Sequence, residues 1–410
     1  MPTETTPIPT VAAVNAAAGP TALERPAGIR WLALVALMVT SFTLVTAEFL
    51  PSGILTEMAA DLGVTPGQAG QSVTATAVVG FLVAPTISIL TPGIDRRTLL
   101  VWLTVMAAAS NLIVAISPNL VLLLVARFLL GAALSGFWAM SLTITAKLTG
   151  PERLGRGMML VNAGTSMATV AGVPIGVVVS SAFDWRVAFI AAAVVSIVVA
   201  LALRLLLPRV EAAKAQSLRL LGDTLRRPAL GVGLAGHVLI VLGHITAYTF
   251  IRLALGRVDG LDEGGAAFML VAFGIGGLVG TFVIGMLVDR YLSVLRSVVP
   301  ALIAVSVLML ALMSSSLVLV AIAVFAWGIG FGAWLLTVTT WIGRQAPDRL
   351  EAGGGLVVAG FQGAIALGAG VGGLLVDLLG IFPTLLVAVG ALIVGGAMFG
   401  SAGRGGRRRR

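Results

Sequence analysis

Twelve apolar segments, each close to twenty residues long and nearly free of charge, follow one another along this chain. They lie near residues 31–52, 71–92, 98–117, 119–143, 158–181, 187–207, 230–252, 266–288, 296–314, 317–341, 355–376 and 382–400. About twenty apolar residues in a helix cross the roughly 30 Å hydrocarbon core of a bilayer. There every backbone N–H and C=O must be paired within the protein, which leaves helices or a closed barrel. Long continuous runs, rather than ten-residue alternations, point to helices. Charge content agrees: 10% of residues are charged, against about 25% in soluble domains. The expected fold is an all-α integral membrane protein with twelve transmembrane helices.

The same residues exclude several functions. With no cysteine, disulfides, thiol chemistry and Cys-based metal sites are out. Two histidines far from any carboxylate pair make a metal centre a poor fit, and no cofactor is expected. No nucleophile–base pair and no G-x-x-x-x-G-K-[ST] loop stands out, which argues against an enzyme and a primary pump. The net charge of +9 must first be assigned to loops before nucleic acid is considered.

The cations set the expected orientation. If the N-terminus is cytoplasmic, inside segments hold 22 of the 26 Lys and Arg residues, outside segments hold Arg186, Arg252 and Arg257, and Arg127 lies within a helix. Cytoplasmic loops of membrane proteins carry this excess, so both termini are expected inside the cell, in the plasma (inner) membrane. The Pro- and Thr-rich start reads as a disordered tail, 1–28, because it lacks a cationic region and cleavage site. The basic tail, 403–410, reads as an anchor on anionic lipid, with RNA the weaker alternative. The longest interior hydrophilic stretch, 208–228, divides two six-helix units, 29–207 and 229–402.

Those units repeat. A shift of 196 residues lays Gly136, Trp138, Pro151, Arg153, Leu154, Gly157, Gly164, Gly172 and Gly176 on identical residues. The loops G-P-E-R-L-G-R-G and A-P-D-R-L-E-A-G carry the core of the match. Two D-R turns, Asp95-Arg96-Arg97 and Asp289-Arg290, follow the second helix of each unit. Two parallel repeats place a site between them near mid-membrane.

With six plus six helices, D-R turns after helices 2 and 8, R-F-L-L-G (127–131) in helix 4 and A-G-V-P-I-G (171–176) in helix 5, the chain resembles the major facilitator superfamily from about residue 30 to 400. Val173 stands between Gly172 and Pro174, which that family usually has adjacent. T-A-E-F-L-P (46–51), A-G-Q-S-V-T (69–74), I-D-R-R (94–97), G-F-W-A-M-S (136–141) and the stretch Gly243 to Arg252 resemble a smaller group, the proton-coupled purine ribonucleoside exporters, with sugar-efflux permeases as neighbours. The resemblance implies an exporter working by proton antiport on a small-molecule substrate; sugar or drug efflux is the alternative, and a receptor or membrane enzyme a remote one. It also implies that Asp95, Arg96, Arg97, Asp289 and Arg290 serve gating, and it supports a proton-coupling role for Arg127. A monomer in membrane lipid is expected.

Candidate transport residues follow from charge within helices. Glu48 lies about 26 Å along its segment from Trp31, and an acid at such depth usually marks an ion or proton pathway; snorkelling to the outer headgroups is the competing reading. Arg127 sits about 12 Å beyond Asn119 and keeps its charge, so it needs a carboxylate, carbonyls or substrate. Its repeat partner is Ala323, an asymmetry that favours function over packing, and a pair with Glu48 is expected. His237, His244 and Tyr248 share one helical face, with Arg252 beyond. His244, Tyr248 and Arg252 are read as substrate-binding, and His237 as interhelical glue. Asn162 and Gln362 offer amides suited to bases and sugars. Trp138 and Trp334 are candidates for stacking on a planar base, while Trp341 reads as an interfacial belt residue.

Overall fold

The computed structural model describes residues 27–211 and 217–402. The tails expected at 1–28 and 403–410 lie outside these residues, save Ala27 and Gly28, which open the first helix. The helices are α1 (Ala27–Gly53), α2 (Pro66–Leu90), α3 (Arg96–Ile116) and α4 (Leu120–Thr149). Next, α5 runs through Leu154–Met167, a π-turn at Ala168–Gly172 and Val173–Ala182, and α6 is Trp185–Leu206. After the linker, α7 is Pro228–Tyr248.

A helical stretch of 50 residues, Glu263–Leu312, follows. At 1.5 Å per residue it would be about 75 Å long, more than twice the hydrocarbon width. It breaks at Tyr291 (φ −113°, ψ 20°). Asp259 N donates to Ser314 O at 3.0 Å, which puts the two ends on one face. The chain therefore reverses at Tyr291, giving α8 (263–290) and α9 (292–312). With α10 (Leu317–Gln345), α11 (Leu350–Leu379) and α12 (Ile381–Ser401), twelve spans result among the described residues; counting α8 and α9 as one length of helix gives eleven.

Side-chain chemistry explains the ends. Asp95 caps α3 by accepting from Thr98 N (3.1 Å), Asn119 caps α4 through Leu122 N (3.0 Å), and Ser316 caps α10 through Leu319 N (3.4 Å). Such caps fill amide donors that the first helical turn leaves unpaired. The α2–α3 reversal needs a left-handed residue, and Gly93 supplies it (φ 73°).

The helices form two bundles, α1–α6 and α7–α12; the core of the first lies within it, and the core of the second also takes in Leu142, Leu154 and Met158 from α4 and α5. Large apolar side chains such as Phe183, Leu205 and Leu378 point outward, 76%, 69% and 78% exposed, as a lipid-facing surface requires. The 196-residue shift maps packing onto packing. Gly164 closes against Met38, Ser41 and Phe42 of α1, and Gly360 against His237 and Val238 of α7. Gly176 meets Leu50, and Gly372 meets Thr246. By this register Glu48 and His244 occupy the same place in their halves, as do Ser41 and His237.

The π-turn, Ala168–Gly172, takes in the first two residues of the A-G-V-P-I-G stretch and ends where Val173 begins. A π-turn takes up one extra residue in a helix, and Val173 is one extra residue between Gly172 and Pro174. Gly172 and Gly176 both still face α1, against Thr46 and Leu50.

Candidate functional site

Arg127 is completely buried in α4. Its Nη2 donates to the carbonyls of Ala47 and Glu48 in α1, both at 2.9 Å, and Nε points to Ser72 O of α2 at 3.5 Å. The expected ion pair with Glu48 is replaced by these peptide carbonyls: no carboxylate lies within 4.0 Å of the guanidinium among the described residues. Pro51 explains the substitution, since it has no N–H for the Ala47 carbonyl and leaves that acceptor free. Glu48 itself is buried, 8% exposed. Nη1 of Arg127, Thr46 Oγ1 and Ser72 Oγ are buried without hydrogen-bond partners among the described residues. Buried polar atoms are nearly always hydrogen-bonded, so a group of unfilled donors and acceptors around one permanent charge sets this part of the first bundle apart.

Across the molecule, α7 presents His237, His244 and Tyr248 to aromatic rings. Trp334 Nε1 donates to His237 Nδ1 at 3.1 Å, and His237 Nε2 meets Val357 O at 3.1 Å. Both nitrogens are thus occupied, which fits the interhelical role. Trp334 is fully buried, stacked on His237 and edge-on to Phe399. Its expected stacking on substrate is therefore corrected to packing. Trp341 is likewise buried, against Phe399 and the Gly233 backbone, rather than in an interfacial belt.

His244 lies parallel to Phe331, centroids 3.4 Å apart, with Tyr248 at 5.4 Å and Phe273 at 6.2 Å. Trp327 donates to its Nδ1 at 3.0 Å. Trp138, half-buried, packs against the cores of both halves. Gln362 Nε2 and Ser135 Oγ, both buried without hydrogen-bond partners among the described residues, converge beside Gly80, where α2, α4 and α11 meet. Asn162 turns its amide back to Met158 O of its own helix at 2.8 Å. Arg252 is not brought to this group: α7 is interrupted at Thr249 and Phe250, and Arg252 is exposed on the short helix Ile251–Leu255 beyond.

The D-R turns divide their labour in opposite ways. In the first half the arginine crosses to the other bundle. Arg96 grips Glu351 of α11 with two bonds, Nε to Oε1 at 2.7 Å and Nη2 to Oε2 at 2.6 Å, both side chains 1% exposed. In the second half the aspartate crosses. Asp289 accepts from Gly155 N (2.9 Å) and Arg156 N (3.2 Å) at the start of α5, where helix N–H groups favour an anion. Asp95 caps α3 and accepts from Val210 N, and Arg97 bonds Leu207 O, so both act on the linker side of their own half. Arg290 is exposed, over the Tyr291 ring.

Glu351 was not singled out by the sequence. Glu351 could have been: its repeat partner is Gly155, the same kind of asymmetry that drew attention to Arg127.

The Major Facilitator Superfamily model matches residues 37–352. The chain is 32% identical over 368 residues to the transcription regulatory protein OpdE of Pseudomonas aeruginosa, covering 89% of this chain and 92% of that protein. It is also 32% identical over 364 residues, with the same coverage, to the purine ribonucleoside efflux pump NepI of Salmonella paratyphi B. Among solved structures, the outward conformation of the transporter FucP superposes with TM-score 0.72 at 17% identity, covering 90% of this chain and 97% of that one. The proton:xylose symporter XylE gives 0.73 at 12% identity, covering 94% and 96%. At these identities the structures share the fold.

Proposed function

The chain belongs to the Major Facilitator Superfamily and is a multi-pass membrane transporter, not an enzyme; on that premise we propose that it exports purine ribonucleosides in exchange for protons. The observation that carries the reading is the buried Glu48 beside an Arg127 that is anchored to carbonyls. A carboxyl group in hydrocarbon is far cheaper neutral than charged, so Glu48 is suited to take a proton. Arg127 holds its own place whether or not it does. Proton uptake then changes the local charge by one unit, and it biases the halves only as far as the two openings solvate that charge differently.

The substrate group comprises His244, Tyr248, Trp138, Gln362 and Asn162, on helices from both halves. The D-R face is assigned to the cytoplasm on the cation count, with both termini there. Arg96 and Asp289 are its latches, and residues 208–228 link units 29–207 and 229–402. The NepI relatives support a nucleoside substrate. The OpdE relative, equally similar and named as a regulator, makes a transport assay the deciding experiment. Inverted vesicles containing the protein should accumulate labelled inosine under an imposed pH gradient and stop when a protonophore collapses it. Accumulation indifferent to the gradient would remove proton antiport; no accumulation of inosine, with uptake of sugars or drugs, would move the substrate class.

A further inference from the structure

Two tryptophan–histidine bonds join α7 and α10 in a regular register. Trp334 pairs with His237 and Trp327 with His244, seven residues apart on each helix and in opposite order. An imidazole nitrogen that accepts an indole N–H carries no hydrogen, so in the neutral ring the hydrogen sits on Nε2. At His237 that hydrogen goes to Val357 O. At His244, one heptad away, no described residue accepts it, although the side chain is 1% exposed. One turn further on, the Tyr248 hydroxyl also has no hydrogen-bond partner among the described residues, and its ring lies nearly parallel to His244. The same bond thus yields a filled imidazole at one rung and a vacant donor at the next, set among flat rings.

We infer that Trp327 is a positioning residue that locks His244 as an Nε2–H donor, so that the aromatic group of α7, α8 and α10 takes a planar heterocycle presenting an acceptor atom at its edge. This rests on the substrate site proposed above. The indole leaves His244 no freedom to turn an acceptor outward, and a ligand offering an amino group there meets donor with donor. Phe331 and Phe273 supply faces that suit a flat ring. A 6-oxopurine, with N7 and O6 as adjacent acceptors, meets the requirement; a 6-amino-7-deazapurine of the same size lacks both.

Two measurements test the assignment. The chain has two histidines, so nitrogen NMR of ¹⁵N-histidine-labelled protein reads both rings separately. Both should be Nε2–H in the wild type, and Trp327→Phe should disturb one of them. An Nδ1–H ring at His244 in the wild type overturns the proposal, with or without a foldable variant. In binding assays inosine should bind at least tenfold tighter than 7-deazaadenosine. Trp327→Phe should compress that ratio below threefold, while Trp334→Phe, equally buried and equally bonded to a histidine, should leave it unchanged. Equal weakening of both ligands by Trp327→Phe would make Trp327 packing only and refute the proposal. If neither nucleoside binds while the NMR outcome holds, the locking role of Trp327 stands and the nucleoside reading falls.

Discussion

A guanidinium that meets peptide carbonyls instead of a carboxylate keeps its anchor whatever the neighbouring acid does. Glu48 and Arg127 are therefore separable by mutation. Glu48→Gln, which imitates the protonated acid, should abolish gradient-driven efflux and preserve substrate binding; efflux at the wild-type rate would assign the proton to another group. Arg127→Lys replaces a planar fork by a point charge that cannot span Ala47 O, Glu48 O and Ser72 O together. Efflux should fall at least tenfold, and Arg127→Ala should cost about 1–3 kcal/mol for the carbonyls it abandons, read as a lower melting temperature in detergent. Additive effects on pH-dependent binding in the Glu48→Gln, Arg127→Ala double variant would show that the two do not communicate. Charge within an apolar run made both residues legible. Which of carboxylate, carbonyls or substrate would hold Arg127 was not, because it depends on how closely α4 approaches the turn before Pro51.

At the scale of the helix, buried and exposed ion pairs should behave differently. Removing one partner of a buried pair strands the other charge, typically at about 3–5 kcal/mol, whereas exposed pairs are worth about 0–1 kcal/mol. Arg96→Ala should thus lower the melting temperature clearly, and Arg227→Ala, whose partner Asp348 is 55% exposed, hardly at all. Arg96→Ala should also speed thiol labelling of a cysteine placed at Ala139, which packs under Gly354 of α11; unchanged labelling would deny Arg96 a latch role. Apolar runs located all the spans but understated several. They report the width of hydrocarbon, while α4 continues to Thr149 and α10 to Gln345. The reversal at Tyr291 was legible in the charged D-R turn just before it, Asp289-Arg290, but not in any helix-breaking residue, and the backbone turns there within a single residue.

Across the whole molecule, one repeat carries two chemistries. The register that puts Glu48 opposite His244 places an acid and a carbonyl-bound arginine in one half, and an imidazole and an indole in the other. The repeat was visible in glycines and in the P-[ED]-R-L loops because these fix close approach and turns. Its functional asymmetry was visible only where one half lacks what the other has. Orientation can be tested on the whole chain, which contains no native cysteine. A cysteine at Glu152 should label only from the cytoplasm and one at Asp259 only from outside; the reverse pattern would invert the topology.

Closing the Arg96–Glu351 contact expels water from both ions, and opening that face must let it back. Bulk salt screens poorly a pair that is 1% exposed on each side. The equilibrium between openings should therefore respond to water activity more than to ionic strength. A solute excluded from the crevice, raised to high osmolality, should slow labelling at the Ala139 cysteine severalfold, whereas added potassium chloride at matched water activity should do no more. A salt effect beyond the osmotic one would mean that the crevice stays wet when shut.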